Sequence, residues 1–497
     1  MFRLGMTLKI HPFFDLADIS NVCSNILTTE NLIVVPSTKI HHKSEIEVID
    51  IILFILGLVI NLFAYSSIDS LAVAVVFLFS GIALLLVPRF GGEYERIIFI
   101  RTFMVGWVMS GVAAVYANYF GDIGQLYSDA SGFYMMASGQ GSGLTIDELK
   151  ALSEGSLAVV LWRAVYDVFF SLGFARERFV GIMVNVTIVA FTGVISIKMA
   201  RQVYGNDPYR FQRLTLLFSG CGLFWLFAAV HLRDSLVLFT VTALLYFWIS
   251  FLSNPIIDLR FLRIAVFSII GSVFLSYLRV EFTFVPFALA VAGCLSLLVS
   301  RNSDSNNWLI ILFLMLFIAL SFNAEILIDI IARGSGNYTE LSLDTSSSQS
   351  LGMALVVNQP LPVRLVVGSL YLVFFPIPFW SGFQLESVYS LFKSFNVLFF
   401  YALFPLFALS ISDLWYEKSL RMANFLFFLF VSIGFIFAIA LTSLETRHLG
   451  TFLVPIFLLA LMPDLRDEIV QYRYKNFLLY MLSAVGIVHV VWLFIKL

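Results

Sequence analysis

The stretch Phe179–Ile197, FVGIMVNVTIVAFTGVISI, decides the fold class, because it carries no charged residue over its whole length. A helix needs roughly 20 apolar residues to cross a bilayer, and this stretch comes close to that length. Similar apolar runs occupy Ile51–Ala64 and Leu71–Val87. Repeated runs of this kind predict an all-α polytopic membrane protein.

The composition supports the same prediction. Of the 497 residues, 60% are hydrophobic and only 12% are charged, whereas a soluble domain carries about 25% charged residues. The formal net charge of −2 gives no electrostatic basis for a nucleic-acid partner. Cys23, Cys221 and Cys294 lie far apart without a CxxC pattern, so neither a disulfide framework nor a zinc site is predicted.

Hydropathy divides the chain into a cytoplasmic N-terminal segment, 1–47, and an integral membrane domain, 48–497, with about 13 transmembrane helices. The spans are expected near 48–66, 70–88, 97–120, 178–200, 214–232, 235–252, 262–280, 282–300, 308–330, 394–412, 423–441, 449–462 and 476–495. Lys and Arg in short loops favour the cytoplasmic side. The external, periplasmic side then receives two large loops, 121–177 and 331–393.

Residues 364–393 are the ambiguous part of this topology, because their apolar stretch is short and contains Pro376 and Pro378. If the stretch spans the membrane, Arg466 and Arg473 fall outside. If it is re-entrant or interfacial, they fall inside with the other basic residues. Irregular backbone is tolerated at membrane depth where it lines a protein-walled cavity, and the charge bias favours the re-entrant interpretation.

The end of the first external loop is predicted to be helical. Within Ser156–Gly173, apolar residues recur at helical spacing, with Arg163 and Asp167 one turn apart on the polar side. This pattern favours a helix that lies in the outer interface. A fourth span with a buried ion pair is the alternative.

Three arginine-bearing clusters interrupt the apolar sequence on the predicted external side, where Lys and Arg are normally sparse. They are His231-Leu232-Arg233-Asp234, Leu278-Arg279-Val280-Glu281 and Glu445-Thr446-Arg447-His448. Charge at membrane depth and against this bias indicates a functional site. A single cluster could be a juxtamembrane ion pair whose side chains extend to the aqueous interface. Three clusters on one face, each with a carboxylate close to an arginine, favour a shared polar cavity.

These residue types indicate a chemistry. Arginine suits bidentate recognition of phosphate, and an adjacent carboxylate can fix the guanidinium. The predicted binding residues are Arg233, Asp234, Arg279, Arg447, His448 and His231, and Glu445 and Glu281 are candidate catalytic carboxylates. A lipid-linked sugar diphosphate would fit such a cavity, because arginines stabilise the charge that develops on the leaving lipid phosphate.

The first external loop adds a further carboxylate. Asp129 follows a predicted span by a few residues and could act as a general base for a sugar hydroxyl. Tyr127 and Tyr134 offer aromatic faces and hydroxyls to a sugar ring. The alternative for Asp129 is a helix N-cap, a role that Asp often has.

In these features the chain resembles the polytopic bacterial glycosyltransferases of the GT-C superfamily and the related O-antigen-type polysaccharide polymerases. The resemblance covers most of the chain from about residue 97. It rests on the Asp-x-x-x-x-Tyr-x-x-Ala pattern (Asp129, Tyr134, Ala137), the turns with Arg233, Asp234, Ser235 and Leu278, Arg279, and the late element with Glu445, Arg447, His448, Pro455. It departs from the superfamily where the acidic loop follows the third predicted span instead of the first.

The resemblance implies a GT-C-like fold in the bacterial inner membrane. It implies transfer of sugar units from a polyprenyl-(di)phosphate-linked donor to a glycan acceptor at the periplasmic face, with Asp129 as the leading catalytic base. A role in O-antigen or exopolysaccharide biosynthesis, together with other polysaccharide-assembly proteins, would follow. No cofactor is predicted with certainty. The chain has no Asp-x-Asp pair, which leaves dependence on a divalent metal open.

A polymerase is slightly preferred over a single-sugar transferase, because the long Ser-rich loop could cover an extended product. A transporter or flippase for a lipid-linked oligosaccharide is the alternative. It should carry polar residues along the middle of its spans, whereas stretches such as Phe425–Phe430 are apolar. A structural or assembly subunit would explain the hydrophobicity but not the three arginine clusters.

Overall fold

A computed structural model describes residues 48–64, 92–119, 128–139, 156–253, 259–300, 356, 359–383, 387–414 and 422–496. These residues form α-helices and short 3-10 turns, without a β-strand among them. The helices are α1 Val48–Ala64, α2 Glu93–Tyr119, α3 Ser128–Ser138, α4 Ser156–Ser171, α5 Arg178–Tyr204, α6 Pro208–Gly220, α7 Gly222–Ala229, α8 Asp234–Leu252, α9 Leu259–Leu278, α10 Val285–Val299, α11 Leu361–Phe374, α12 Val388–Leu414, α13 Met422–Leu441, α14 Thr446–Gly450, α15 Leu453–Ala460 and α16 Glu468–Lys496.

Seven of the described helical segments are long and apolar enough to cross a membrane. They are Glu93–Ala117, Arg178–Tyr204, Asp234–Leu252, Val280–Val299, Val388–Leu414, Met422–Leu441 and Glu468–Val491. Helices α6 and α7 would make an eighth span, bent by 58°. The prediction of a helical, multi-pass membrane protein is therefore confirmed.

Several predicted segments differ from the structure or fall outside it. The spans near 70–88 and 308–330, and the N-terminal segment 1–47, lie outside the described residues. The stretch predicted as one span over 449–462 consists of α14 and α15, helices of 5 and 8 residues. An apolar run reveals hydrophobic length, but it does not reveal where the helix is broken.

One end of the bundle carries ion pairs between arginines and carboxylates of different segments. They are Arg201–Glu95, Arg466–Asp207 and Arg473–Asp413. The pairs join α5 to α2, the loop before α16 to the loop before α6, and α16 to α12. We call this the basic end, and the positive-inside rule predicts that it faces the cytoplasm.

The buried helix α15 finishes at the basic end, where two arginines of α6 satisfy its last carbonyl groups. The Arg213 guanidinium donates to the carbonyl oxygens of Ala460 and Pro463, both at 2.7 Å. Arg210 Nε donates to the carbonyl oxygen of Leu461 at 3.2 Å. Cations at a helix C-terminus are favourable, because the final carbonyls have no partner within the helix. These bonds fix the lower end of α15.

Helix α11 begins at the opposite end of the bundle, beside the short loop that follows α13. Arg364 in its first turn donates to the carbonyl oxygen of Thr442 at 3.2 Å. Farther along the helix, the ring of Phe374 stacks with the ring of Tyr401 at 6.0 Å. Tyr401 lies more than three turns into α12, so α11 descends toward the middle of the bundle.

The chain then returns to the end from which α11 started. After the 3-10 turn Phe379–Phe383, helix α12 begins, and the Tyr389 hydroxyl in its first turn donates to Glu445. Glu445 lies in the same loop as Thr442. The segment 361–387 therefore enters and leaves at one end, in agreement with the re-entrant interpretation, and Arg466 and Arg473 lie at the basic end as that interpretation requires.

Helix α4 has the character predicted for an interfacial helix. Trp162 and Tyr166 are buried, while Leu161, Val168 and Phe170 are exposed. The helix is not among the candidate spans of the described residues. Its Asp167 pairs at 2.7 Å with Arg176 of the following loop.

The re-entrant path predicts the side on which single cysteines react. In a protein whose three cysteines are replaced by serine, Gln359→Cys and Ser387→Cys should react with a membrane-impermeant maleimide from the same side as Ser171→Cys. Asp467→Cys should react from the other side, because it lies at the basic end. Labelling of Gln359→Cys and Ser387→Cys from opposite sides would contradict the path.

Candidate functional site

The arginines of the three clusters meet around one histidine. His448 lies in α14 and is 5% exposed. Burial holds the pKa of its imidazole well below the usual range, and the nearby charges of Arg279, Arg447 and Arg233 lower that pKa further. The imidazole is therefore neutral at pH 7, and the positive charge of this region belongs to the arginines. The predicted convergence of the clusters agrees with this arrangement.

The strongest charge contact in the site joins two of the clusters. Asp234, the first residue of α8, is 1% exposed, and Arg279 after α9 is 3% exposed. Arg279 Nη1 donates to Asp234 Oδ1 at 3.1 Å. The Asp234 carboxylate at the start of α8 thus fixes the Arg279 guanidinium at the end of α9. Two buried charges require such a partner, because each alone would lose its hydration without compensation.

Glu281 takes a looser position beside the same arginine. Its Oε2 lies 3.8 Å from Arg279 Nε, and its side chain is 38% exposed. The contact is too long for a hydrogen bond. Of the two carboxylates that flank Arg279, Asp234 holds the guanidinium and Glu281 faces the surface.

Arg233 connects the first cluster to the first external loop. It occupies the N-cap position of α8, and its guanidinium carbon lies 5.4 Å from the ring centroid of Phe133 in α3. This is a cation–π distance. Asp129 lies in the first turn of α3, but its side chain, like the whole of Tyr127, is outside the described part of the chain.

His231 is fully buried and holds the turn that precedes Arg233. Its Nε2 lies 3.0 Å from the Tyr166 hydroxyl. The Asn185 amide donates to the carbonyl oxygens on either side of His231, those of Val230 at 2.9 Å and Leu232 at 3.1 Å. Burial lowers the pKa of His231 to about 3, and the charge of Arg178 adds to this effect. With 0% of its surface exposed, His231 supports the site rather than lining it.

Tyr134 is engaged by the chain that leads into α5. Its hydroxyl donates to the carbonyl oxygen of Arg176 at 2.9 Å, and the guanidinium carbon of Arg178 lies 4.5 Å from its ring centroid. The ring also lies 6.0 Å from that of His231. These contacts hold α3 against α5 and bring a fourth arginine, Arg178, to this end of the bundle.

The loop after α13 has an unusual backbone where it approaches the site. Leu444 has a φ of 50°, in the left-handed region that branched side chains rarely adopt. Its N–H donates to the Ile439 carbonyl at 3.0 Å, and a Cβ on Gly368 of α11 would come within 3.1 Å of its Cδ2. Ser443 Oγ lies 2.7 Å from His448 Nδ1. The loop is thus bound on one side to α11 and on the other to α14.

Glu445 lies at the N-cap position of α14, but its side chain makes no capping hydrogen bond. Instead its carboxylate accepts the hydroxyl of Tyr389. The next charged residue, Arg447, is 7% exposed. The third cluster therefore presents its carboxylate toward α12 and its histidine toward Arg279.

Three further cations at this end were missed by the sequence reasoning. Arg178, Arg364 and Lys393 each lie within the first turns of a helix that starts at this end, in α5, α11 and α12. The position of these cations on the predicted external side was a signal that could have found all three. Tyr389 carried no such signal, because a tyrosine at a helix start is unremarkable.

Among the described residues, no group of three His, Cys, Asp or Glu side chains could hold a metal ion. Asp129 does not enter into that statement, because its side chain is not described. In comparisons with protein-family models and with curated proteins, nothing matches this chain.

Replacing Asp234 by Asn should destabilise the protein, because it leaves the buried Arg279 guanidinium without its anion. Breaking a buried pair costs about 3 to 5 kcal/mol. Asp413→Asn, which breaks the more exposed pair with Arg473, should cost less than about 1 kcal/mol. The thermal unfolding midpoints of both variants in detergent measure the difference, and equal midpoints would show that the Asp234–Arg279 pair has no special weight.

Proposed function

We propose that this chain is a membrane glycosyltransferase, of the polysaccharide polymerase type in preference to a single-sugar transferase. It would transfer sugar or glycan units from a polyprenyl-(di)phosphate-linked donor to a glycan acceptor. The observation that carries the proposal is the convergence of Arg233, Arg279 and Arg447 around His448, with Glu445 and Glu281 nearby.

The three guanidinium groups suit a diphosphate. A guanidinium group can offer paired N–H donors to phosphate oxygens. Because His448 is neutral, the positive charge of the site comes from the arginines. When the bond between the sugar and the lipid diphosphate breaks, the leaving group gains negative charge. Fixed cations in a largely buried site stabilise that charge in the transition state.

The distribution of charge favours transfer over transport. Most ion pairs among the described residues lie at one end or the other of the bundle, as Arg201–Glu95 and Arg279–Asp234 illustrate. Arg101 and Asp50, 3.5 Å apart, are an exception, because Arg101 lies about two turns into α2. A flippase moves a charged headgroup across the membrane and needs polar side chains along that path. A site at one end is sufficient for an enzyme whose lipid-linked substrate stays in one leaflet.

The finer features of the fold and location belong to the same proposal. We infer about 13 spans in a GT-C-like arrangement, with the basic end toward the cytoplasm and the arginine clusters toward the periplasm of a bacterial inner membrane. The substrate's polyprenyl chain would remain in the bilayer, and other polysaccharide-assembly proteins would supply the lipid-linked glycan and receive the product.

The proposal predicts that Arg279→Ala and Arg447→Ala each lower glycan assembly by about a hundredfold, because each removes a cation that stabilises the leaving group. Arg473→Ala, which removes an arginine at the basic end, serves as the matched control and should leave assembly unchanged. The measurement is the amount of polymer in cells that carry each variant at equal protein abundance.

The fate of the substrate distinguishes the proposed enzyme from the alternative. Cells with Arg279→Ala should accumulate a lipid-linked glycan in the outer leaflet, where a glycosidase added to spheroplasts can reach it. Accumulation in the inner leaflet would indicate a flippase. Normal polymer from Arg233→Ala, Arg279→Ala, Arg447→Ala, Asp129→Asn and Glu445→Gln alike would rule out the enzyme.

A further inference from the structure

Lys393 lies in an aromatic cage beside the candidate site. Its ammonium nitrogen is 4.8 Å from the ring centroid of Phe375, 5.6 Å from that of Tyr389 and 5.7 Å from that of Tyr371. The faces of aromatic rings attract cations, which offsets part of the hydration that a partly buried ammonium loses. The cage is built by Tyr371 of α11, by Phe375 directly after α11 and by Tyr389 at the start of α12.

The carboxylate nearest to this cage is Glu445. It is close enough for its charge to act on Lys393, and it accepts the hydroxyl of Tyr389, a member of the cage. Among the described residues, however, no arginine or lysine forms a direct ion pair with Glu445. Lys393 therefore contacts the ring whose hydroxyl binds the carboxylate, but it makes no direct ion pair with that carboxylate.

The other two described carboxylates of the site are less suited to accept a proton. Asp234 is 1% exposed and is bound to Arg279, so a substrate hydroxyl has no access to it. Glu281 is exposed and lies at 3.8 Å from Arg279 Nε, so water competes for it. Glu445 is partly buried, is oriented by a hydrogen bond and keeps oxygen lone pairs available.

We propose that Glu445 is the base that takes the proton from the acceptor hydroxyl, and that Tyr389 and Lys393 are positioning residues. Tyr389 orients the carboxylate by its hydrogen bond, and Lys393 holds the Tyr389 ring by a cation–π contact. This inference rests on the proposed function. In the step, the acceptor oxygen forms a bond to the anomeric carbon while its proton passes to Glu445. The bond from that carbon to the lipid diphosphate breaks, and its electron pair leaves with the diphosphate toward Arg233, Arg279 and Arg447.

The helices packed around Glu445 place groups near it that suit this role. The charged and titratable groups that face this region are Lys393 and Tyr389 of α12, Tyr371 and Arg364 of α11, and Arg447 and His448 of α14. They include several cations, whereas no second carboxylate is among them.

The test is the kcat and KM of transfer in membranes that contain each variant. The probe is the lipid-linked glycan extracted from cells that lack the protein. Glu445→Gln should lower kcat at least a hundredfold, the usual scale for loss of a general base. Lys393→Met should lower kcat severalfold and leave KM near the wild-type value, because a carboxylate that is less well oriented slows proton transfer without weakening substrate binding. Lys393→Arg keeps a cation against the Tyr389 ring and should restore the wild-type kcat.

Tyr389→Phe provides an independent variant, because it keeps the ring of the cage and removes only the hydroxyl. The lost hydrogen bond leaves the carboxylate less well oriented, so kcat should again fall while KM stays near the wild-type value. Lys475→Met and Tyr480→Phe are matched controls on the exposed surface of α16 and should leave kcat and KM unchanged. Unfolding midpoints in detergent identify any variant that is merely unstable, and Tyr389→Phe carries the test if Lys393→Met does not accumulate.

The outcomes separate this inference from the proposed function. If wild-type membranes convert the glycan but Lys393→Met and Tyr389→Phe keep the wild-type kcat, the positioning roles are wrong. A wild-type rate from Glu445→Gln would overturn its role as the base. Wild-type membranes that leave the glycan unconverted would instead contradict the proposed function.

Discussion

The buried ion pair between Asp234 and Arg279 is the contact on which the rest of the candidate site depends. Both side chains are almost completely removed from solvent, so each charge is tolerable only because the other lies within 3.1 Å. The pair ties the start of α8 to the end of α9. It thereby fixes the Arg279 guanidinium near Phe282, whose ring lies 6.0 Å from that of His448. The pair therefore joins the first cluster to the second and holds the second beside the histidine of the third.

The loop that carries Glu445, Arg447 and His448 is held from two directions. Below it, α15 is buried, and its last carbonyls are bound by Arg210 and Arg213 at the basic end. Beside it, the re-entrant segment and α12 supply Arg364, Tyr389 and the packing of Leu444 against Gly368. Charged groups that act on a transition state are most effective when their orientation is fixed before the substrate binds. A loop secured in this way meets that requirement.

A feature of this structure could be predicted from the sequence only where apolar length or charge placement indicates it. The arginine clusters could be placed at one end of the bundle, because apolar spans alternate direction and basic loops indicate the side. Their partners could not be predicted in the same way. Asp234 pairs with Arg279 and not with the adjacent Arg233. His231 is buried against Tyr166, and Asn185 binds the carbonyl groups beside it. Both arrangements join residues that are far apart in the chain. Lys393 lies on the predicted external side and could have been recognised there, but it belongs to no cluster of charged residues in the sequence.

The sequence by itself determined that this is a helical membrane protein, because the apolar length and the charge bias of its segments decide how they insert into a bilayer. It also determined which end of the bundle carries the arginines. Only the tertiary structure decided that α14 and α15 are two short helices, that segment 361–387 returns to the end it started from, and that Glu445 faces Tyr389 and Lys393. These features arise from contacts between helices, which depend on side-chain shape and pairing that local hydrophobicity does not encode.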